Sequence, residues 1–134
     1  MEVKWKYKGK LLREVPSNSE GFIYLITFSD GTKYLGKKSF WSRRSTKVKG
    51  KIRKVLKVTE SDWRKYRGSS EHSKRKAKEG LVAKLEVIHF CESKGCLMFM
   101  ELVEMVKRDV LCSEAYLNAN IMLRVYKCYK PMEV

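Results

Sequence analysis

Tyr24 and Tyr34 stand ten residues apart on either side of Ser29-Asp30-Gly31, and from Lys37 to Lys57 the chain carries no acidic residue. That stretch holds Lys37, Lys38, Arg43, Arg44, Lys47, Lys49, Lys51, Arg53, Lys54 and Lys57, with Phe40 and Trp41 among them. These residue types suit work on a phosphodiester. A phenol ionises near pH 10, too high for a good base at neutral pH, and nearby cations favour the phenolate. A guanidinium offers a phosphate two fixed, parallel donors. Each feature also has a plainer use. Tyrosines in sheets usually pack, basic stretches usually face water, and Trp41 or Trp63 can fill a core as readily as stack on a base.

Whether the two phenols meet depends on the turn between them. A two-residue turn at Asp30-Gly31 pairs Ser29 with Thr32 and sends Tyr24 and Tyr34 to opposite faces. A three-residue loop with Gly31 left-handed pairs Phe28 with Thr32, Ile26 with Tyr34 and Tyr24 with Gly36. The phenols then share a face as diagonal neighbours, and Gly36, lacking a Cβ, leaves space beside Tyr24. The chemistry requires the second register, which is therefore the expectation.

The elements around this hairpin follow from pattern. Val3, Trp5 and Tyr7 alternate with lysines in a strand-like entry arm broken at Pro16. Residues 21–28 are rich in aromatic and branched side chains and read as a strand, with 32–37 returning. A helix is expected to begin near Ser39 and give way to a basic loop around Gly50. A short helix is expected over 61–68, a charged helix over 71–79 stopped by Gly80, and a third strand over 82–91. Met98, Leu102, Met105 and Val106 recur at helical spacing, and Ser113 is placed to cap a further short helix. Residues 121–129 fit strand or helix equally. The reading is one α+β domain over 1–134 with a basic insert at about 45–60.

Thirty Lys and Arg against fifteen Asp and Glu give a formal charge of +15, a field that attracts polyanions, nucleic acid first among them. No apolar run approaches the roughly 20 residues that span a bilayer, and the start has no signal-peptide core. Cys91, Cys96, Cys112 and Cys128 read as reduced thiols of a cytosolic protein. Zinc binding is the less favoured reading, because Cys91-x4-Cys96 is wider than a knuckle.

Phe22-Ile23-Tyr24 and Tyr34-Leu35-Gly36 resemble the paired motifs of the GIY-YIG nucleases, with Phe22 in place of Gly and Leu35 in place of Ile. Trp5-Lys-Tyr-Lys-Gly9, Tyr34-Leu-Gly-Lys-Lys38, Trp63-x-x-Tyr66-x-Gly68-Ser-Ser70, Phe99-Met-Glu101 and Tyr116-Leu-Asn118 extend the likeness over nearly the whole chain, toward a phage-borne, Seg-type homing subgroup. The resemblance implies a three-stranded antiparallel sheet flanked by helices and a metal-dependent endonuclease acting on double-stranded DNA in the host cytoplasm, with no membrane partner. It implies Tyr24 and Tyr34 in the catalytic centre, a basic residue on the following helix, Glu101 as ligand to Mg²⁺ or Mn²⁺, and Asn118 in support. Arg44, ten residues past Tyr34, fits the basic position best, with Arg43 the neighbouring alternative; Lys37 and Lys38 share in phosphate contact. Glu101 sits between apolar Met100 and Leu102, and Glu104 one turn later is the substitute ligand. Lys37, Lys38, Arg43, Lys47, Lys49, Lys51, Arg53 and Lys54 are the expected nucleic-acid contacts. The competing readings are a basic nucleic-acid-binding protein without catalysis and a cationic module for acidic proteins or membranes.

Overall fold

Gly21–Phe28 (β3) buries seven of its eight residues, so both of its faces are covered and it is the axis of the sheet. The computed structural model describes residues 4–47, 49–50, 54–67, 71–81 and 83–118. In chain order these form β1 (Trp5–Tyr7), β2 (Lys10–Leu11), β3, β4 (Lys33–Ser39), β5 (Trp41–Lys47), β6 (Lys54–Glu60), α1 (Glu71–Lys78), β7 (Ala83–Cys91), α2 (Lys94–Lys107) and a 3₁₀ turn at Val110–Cys112. The main sheet has five strands in the order β2-β1-β7-β3-β4, and β5-β6 form a separate two-stranded ribbon.

The mixed α and β character matches expectation, but the three-stranded antiparallel sheet does not. The three expected strands are β3, β4 and β7, and they pair antiparallel. The entry arm adds β1, parallel to β7, and β2. It joins because its alternating aromatics bury: Trp5 packs 5.1 Å from both Phe22 and Tyr24 and donates from Nε1 to Trp63 O at 3.0 Å. Val3 lies outside the described residues.

Alternation along β3 sorts the core into two layers. Phe22, Tyr24, Ile26 and Phe28 face an aromatic layer with Trp5, Phe40, Trp63 and Phe90. Ile23 and Leu25 face α2 through Leu97, Met100 and Met105. Along β7 the register slips between the partners of Ile23 and Tyr24, a β-bulge. Ile88 therefore packs with the α2 layer beside His89, which reaches Glu104 of α2, and Phe90 returns to the aromatic layer with Leu85 and Val87. This bulge is why 82–91 lacks a clean alternation in sequence.

The three-residue loop is present. Gly31 has φ +89°, its N–H donates to Phe28 O at 2.9 Å, and Phe28 N–H donates to Thr32 O at 2.8 Å. Tyr24 pairs with Gly36 and Ile26 with Tyr34. Asp30 closes the loop through Thr32 and also pairs with Lys76 of α1.

The helix expected near Ser39 is replaced by β5. As a helix, this segment would stack Arg43 on Lys47, Lys47 on Lys51 and Arg53 on Lys57 at i,i+4, all like-charged. As a strand it sends Trp41 Nε1 to Ser19 O at 3.0 Å and Arg43 to Glu20. Nor is there a helix over 61–67: Asp62–Lys65 makes a turn, and Gly68 lies outside the described residues. α1 ends before Gly80, whose φ is +82°. Ser93 caps α2 by accepting from Cys96 N–H at 3.1 Å. Ser113 closes the 3₁₀ turn rather than opening a helix, and residues 115–118 run beside β4. Residues 121–129 lie outside the described part. Cys91 and Cys96 are buried and Cys112 exposed, and Cys128 is not among the described residues. No helix of the described residues is long and apolar enough to cross a membrane.

Candidate active site

β4 is the outer strand of the main sheet, and the candidate groups gather along it. Its even-numbered positions face the aromatic layer and its odd-numbered positions face α2. Tyr24, on the neighbouring strand, lays its phenol over Gly36: a Cβ at that position would stand 2.4 Å from Tyr24 Oη and 2.6 Å from Cζ. The space that Gly36 leaves is thus filled by Tyr24 itself, whose hydroxyl is carried toward the sheet edge. Tyr34 packs 6.2 Å away, centroid to centroid, on the same face.

Tyr24 is 1% exposed, and its hydroxyl shares a 3.1 Å hydrogen bond with that of Tyr66. Burial drives its pKa well above the ordinary phenol value, and Tyr66, Tyr34 and Glu101 push it further the same way. This is opposite to the expectation that neighbouring cations lower it. Tyr24 is a neutral phenol here. Tyr66 is a residue that reading for catalytic types passes over, although it stands within the Trp63-x-x-Tyr66 motif. Lys38 Nζ lies 4.3 Å from the Tyr66 ring centroid and 2.6 Å from Asp62 Oδ1.

Around the edge of β4, on the α2 side, Lys37 Nζ stands 3.7 Å from Glu101 Oε2. That oxygen is buried and has no hydrogen-bond partner among the described residues. Leaving a buried acceptor unpaired costs about 1–3 kcal/mol, more when it is charged. Burial raises the Glu101 pKa and Lys37 opposes the rise. Glu104 is differently placed. It accepts from His89 Nε2 at 2.8 Å and from Arg108 Nε at 2.9 Å, so both its oxygens are engaged. Of the two glutamates, Glu101 is the one with an oxygen to offer a cation.

Burial alone would raise the Glu104 pKa, but the His89 and Arg108 hydrogen bonds outweigh it and hold the carboxyl below its ordinary 4.5. Such a group stabilises the fold above the unfolded pKa and loses that contribution as pH falls through the folded value. Glu104→Gln is therefore expected to lower stability by about 1–2 kcal/mol at neutral pH, since both partners reach solvent. In urea unfolding the deficit should close below pH 4.5; a deficit unchanged in acid would remove the ionic part of this account.

Asn118 spends its amide on backbone. Oδ1 accepts from Leu35 N–H at 3.0 Å and Nδ2 donates to Leu35 O at 2.7 Å. With Lys33 bonded to Ala115 and Leu117, this closes the outer edge of β4 up to the residue before Gly36. Asn118 thus positions β4.

The two arginines separate clearly. Arg43 is held bidentate by Glu20, with Nη2 to Oε2 at 2.9 Å, and that pairing raises its pKa. Arg44 lies on β5 rather than on a helix, exposed, with no ion pair to any described residue. With Ser42, Lys57, Thr59 and Asp62 it lines an open groove of about 450 Å³, and Asp62 connects that groove to Lys38. Among the other expected nucleic-acid contacts, Lys49 is exposed, Lys47 stands in register with Lys54, and Lys51 and Arg53 lie outside the described residues. Trp63 is buried in the aromatic layer and Trp41 partly so.

Among the described residues no three His, Cys, Asp or Glu side chains come together to hold a metal. A cation here would rest on one carboxylate, with waters and substrate oxygens completing its shell, the pattern typical of Mg²⁺. Searches of curated proteins and of solved structures returned no match. A family model described as "Putative endonuclease segE, GIY-YIG domain" matches residues 5–121, which include every group named above. The chain belongs to the SegE-type GIY-YIG endonuclease family.

Proposed function

We propose that this protein hydrolyses DNA phosphodiester bonds as a Mg²⁺- or Mn²⁺-dependent endonuclease, with Glu101 holding the metal. The observation that carries the reading is the buried Glu101 oxygen, which has no hydrogen bond among the described residues, faces the Lys37 ammonium and is set around the edge of β4 from a pair of bonded phenols. When bound, the metal would supply Lewis-acid help to the departing 3′ oxygen.

The remaining work falls to side chains. A neutral phenol can take a proton from water only while passing its own onward. Tyr24 can do so through its hydrogen bond to Tyr66, which is partly exposed and returns a proton to solvent. The water oxygen then bonds to phosphorus as the bond to the 3′ oxygen breaks, and that oxygen takes a proton from solvent to leave as the 3′-hydroxyl. Tyr34 packs against Tyr24 and fixes its plane. Lys37, Lys38 and Arg44 offset charge on the phosphoryl oxygens, and Lys38 exchanges Asp62 for substrate. Arg44 rather than Arg43 takes this role, because Glu20 already holds both terminal nitrogens of Arg43 in a bidentate pair.

Duplex DNA nicked in Mg²⁺ is expected to carry 5′-phosphate and 3′-hydroxyl ends that a DNA ligase reseals. Ends that resist ligation would refute attack by water with a 3′ leaving oxygen. The Seg-type resemblance also supports a phage-borne, homing-type role, for which a long target DNA should be cut at one or a few places rather than throughout.

A further inference from the structure

The β5–β6 ribbon breaks a rule that the rest of the fold keeps. Arg44 stands directly opposite Lys57 in an antiparallel pair that joins no other strand among the described residues. Like charges directly opposite destabilise a ribbon, and a lone two-stranded hairpin is marginal to begin with. Where local choices work against the fold, function is the usual reason. The base of the ribbon is secured by Trp41 to Ser19, Arg43 to Glu20 and Ser61 to Ser39. Beyond the base, no acidic side chain of the described residues forms an ion pair with Arg44 or Lys57.

Its two faces differ. One carries Trp41 and Arg43, both already bonded to the body, with Val58 and Leu56 exposed above them. The other carries Ser42, Arg44, Lys57 and Thr59, which line the groove together with Glu60, Ser61 and Asp62, and Asp62 leads on to Lys38 and Tyr66. Two seven-residue strands reach about 24 Å. The major groove of B-DNA, about 12 Å wide, admits a two-stranded ribbon.

We propose that β5–β6 is a duplex-reading arm, lying in the major groove with the Ser42, Arg44, Lys57 and Thr59 face turned to the DNA. This rests on the nuclease reading for its substrate, and it deepens that reading by naming how the duplex is held beside the cutting centre. Arg44 meets the phosphate at the cutting centre and Lys57 a neighbouring backbone phosphate, which relieves their mutual repulsion. Ser42 and Thr59 form the next pair on that face, toward the base of the ribbon, with hydroxyls able to meet base edges.

The test is binding of the full chain to a duplex oligonucleotide in EDTA across a range of salt, with plasmid nicking in Mg²⁺ followed in parallel. Arg44→Gln and Lys57→Gln are each expected to weaken binding about tenfold and to lower the log–log salt slope by about one unit. Leu56→Gln and Val58→Gln, on the opposite face, should change it less than about twofold. Dimethyl sulfate should find guanine N7 protected in the bound site and adenine N3 open, the pattern of major-groove occupancy. Binding of the Arg44 and Lys57 variants equal to wild type, a larger effect from Leu56 and Val58, or protection confined to adenine N3 would each overturn the arm. If the binding results hold while wild type fails to nick, the nuclease reading falls and the arm stands. If wild type nicks while all four variants bind alike, the reverse is true.

Discussion

Gly36→Ala is expected to abolish measurable DNA nicking and to lower the melting temperature together. The glycine is needed for space, not for backbone freedom. An added Cβ would meet Tyr24 Oη at 2.4 Å and Cζ at 2.6 Å, nearer than carbon and oxygen can approach. Tyr24 has nowhere to go. Its ring is held by Trp5 at 5.1 Å, Tyr66 at 5.8 Å and Tyr34 at 6.2 Å. Either the aromatic layer opens or β4 moves outward, and forced overpacking of this kind costs about 1–3 kcal/mol. A shift of about 1 Å in a reacting group costs roughly a hundredfold in rate. Here the shift also breaks the Tyr24–Tyr66 bond and displaces Lys37, the next residue of the same strand. Nicking rates at saturating DNA, with thermal melting of the same samples, check both halves. A Gly36→Ala protein that cuts at the wild-type rate would show that the Tyr24 phenol need not lie across β4.

Glu101→Gln is expected to lose cutting by about a thousandfold or more, the scale of several kcal/mol of transition-state stabilisation. The same substitution should make the metal-free protein more stable. The folded pKa of Glu101 lies above its ordinary 4.5, because burial penalises the charge more than Lys37 repays it. A raised carboxyl favours the fold while protonated, at low pH, and that contribution is lost as pH rises through the folded value. At neutral pH the ionised side chain is thus a net cost that glutamine removes. Divalent metal reverses the ranking, since a ligand that binds only the folded state raises its melting temperature. Mg²⁺ should raise the melting temperature of wild type and leave that of Glu101→Gln unchanged. A metal response retained by the variant would move the metal elsewhere. Glu104, one turn along α2, has the opposite sign of shift, so the two glutamates should respond to acid in opposite directions.

The shared face of Tyr24 and Tyr34 follows from a single residue, Gly31, because parity across the loop fixes every pair beyond it. That much was available from spacing, once the three-residue loop was preferred. What escaped depends on contacts distant in sequence. The parallel pairing of β1 with β7 joins residues about eighty positions apart, and no local pattern announces it. The bulge beside Tyr24 turns His89 toward Glu104, which His89 and Arg108 together engage, leaving Glu101 with the open oxygen. Arg43 and Arg44 are adjacent in sequence, yet strand alternation gives one to Glu20 and the other to the groove. Tyr66 reaches Tyr24 across forty-two positions, carried by a turn where a helix was expected. The ribbon is hidden in the sequence because its long basic run masks the Val, Leu and Thr of Val55–Thr59, residues that favour strands.

The most direct test of the account is nicking of supercoiled plasmid by wild type and by Glu101→Gln, each in Mg²⁺ and in EDTA. The account predicts nicked circles from wild type in Mg²⁺ alone, and none from the variant in either condition. Equal nicking by the variant, or undiminished nicking in EDTA, would contradict a metal centre at Glu101. Tight, salt-sensitive binding with no nicking from wild type would contradict catalysis itself and leave a DNA-binding protein on a nuclease fold.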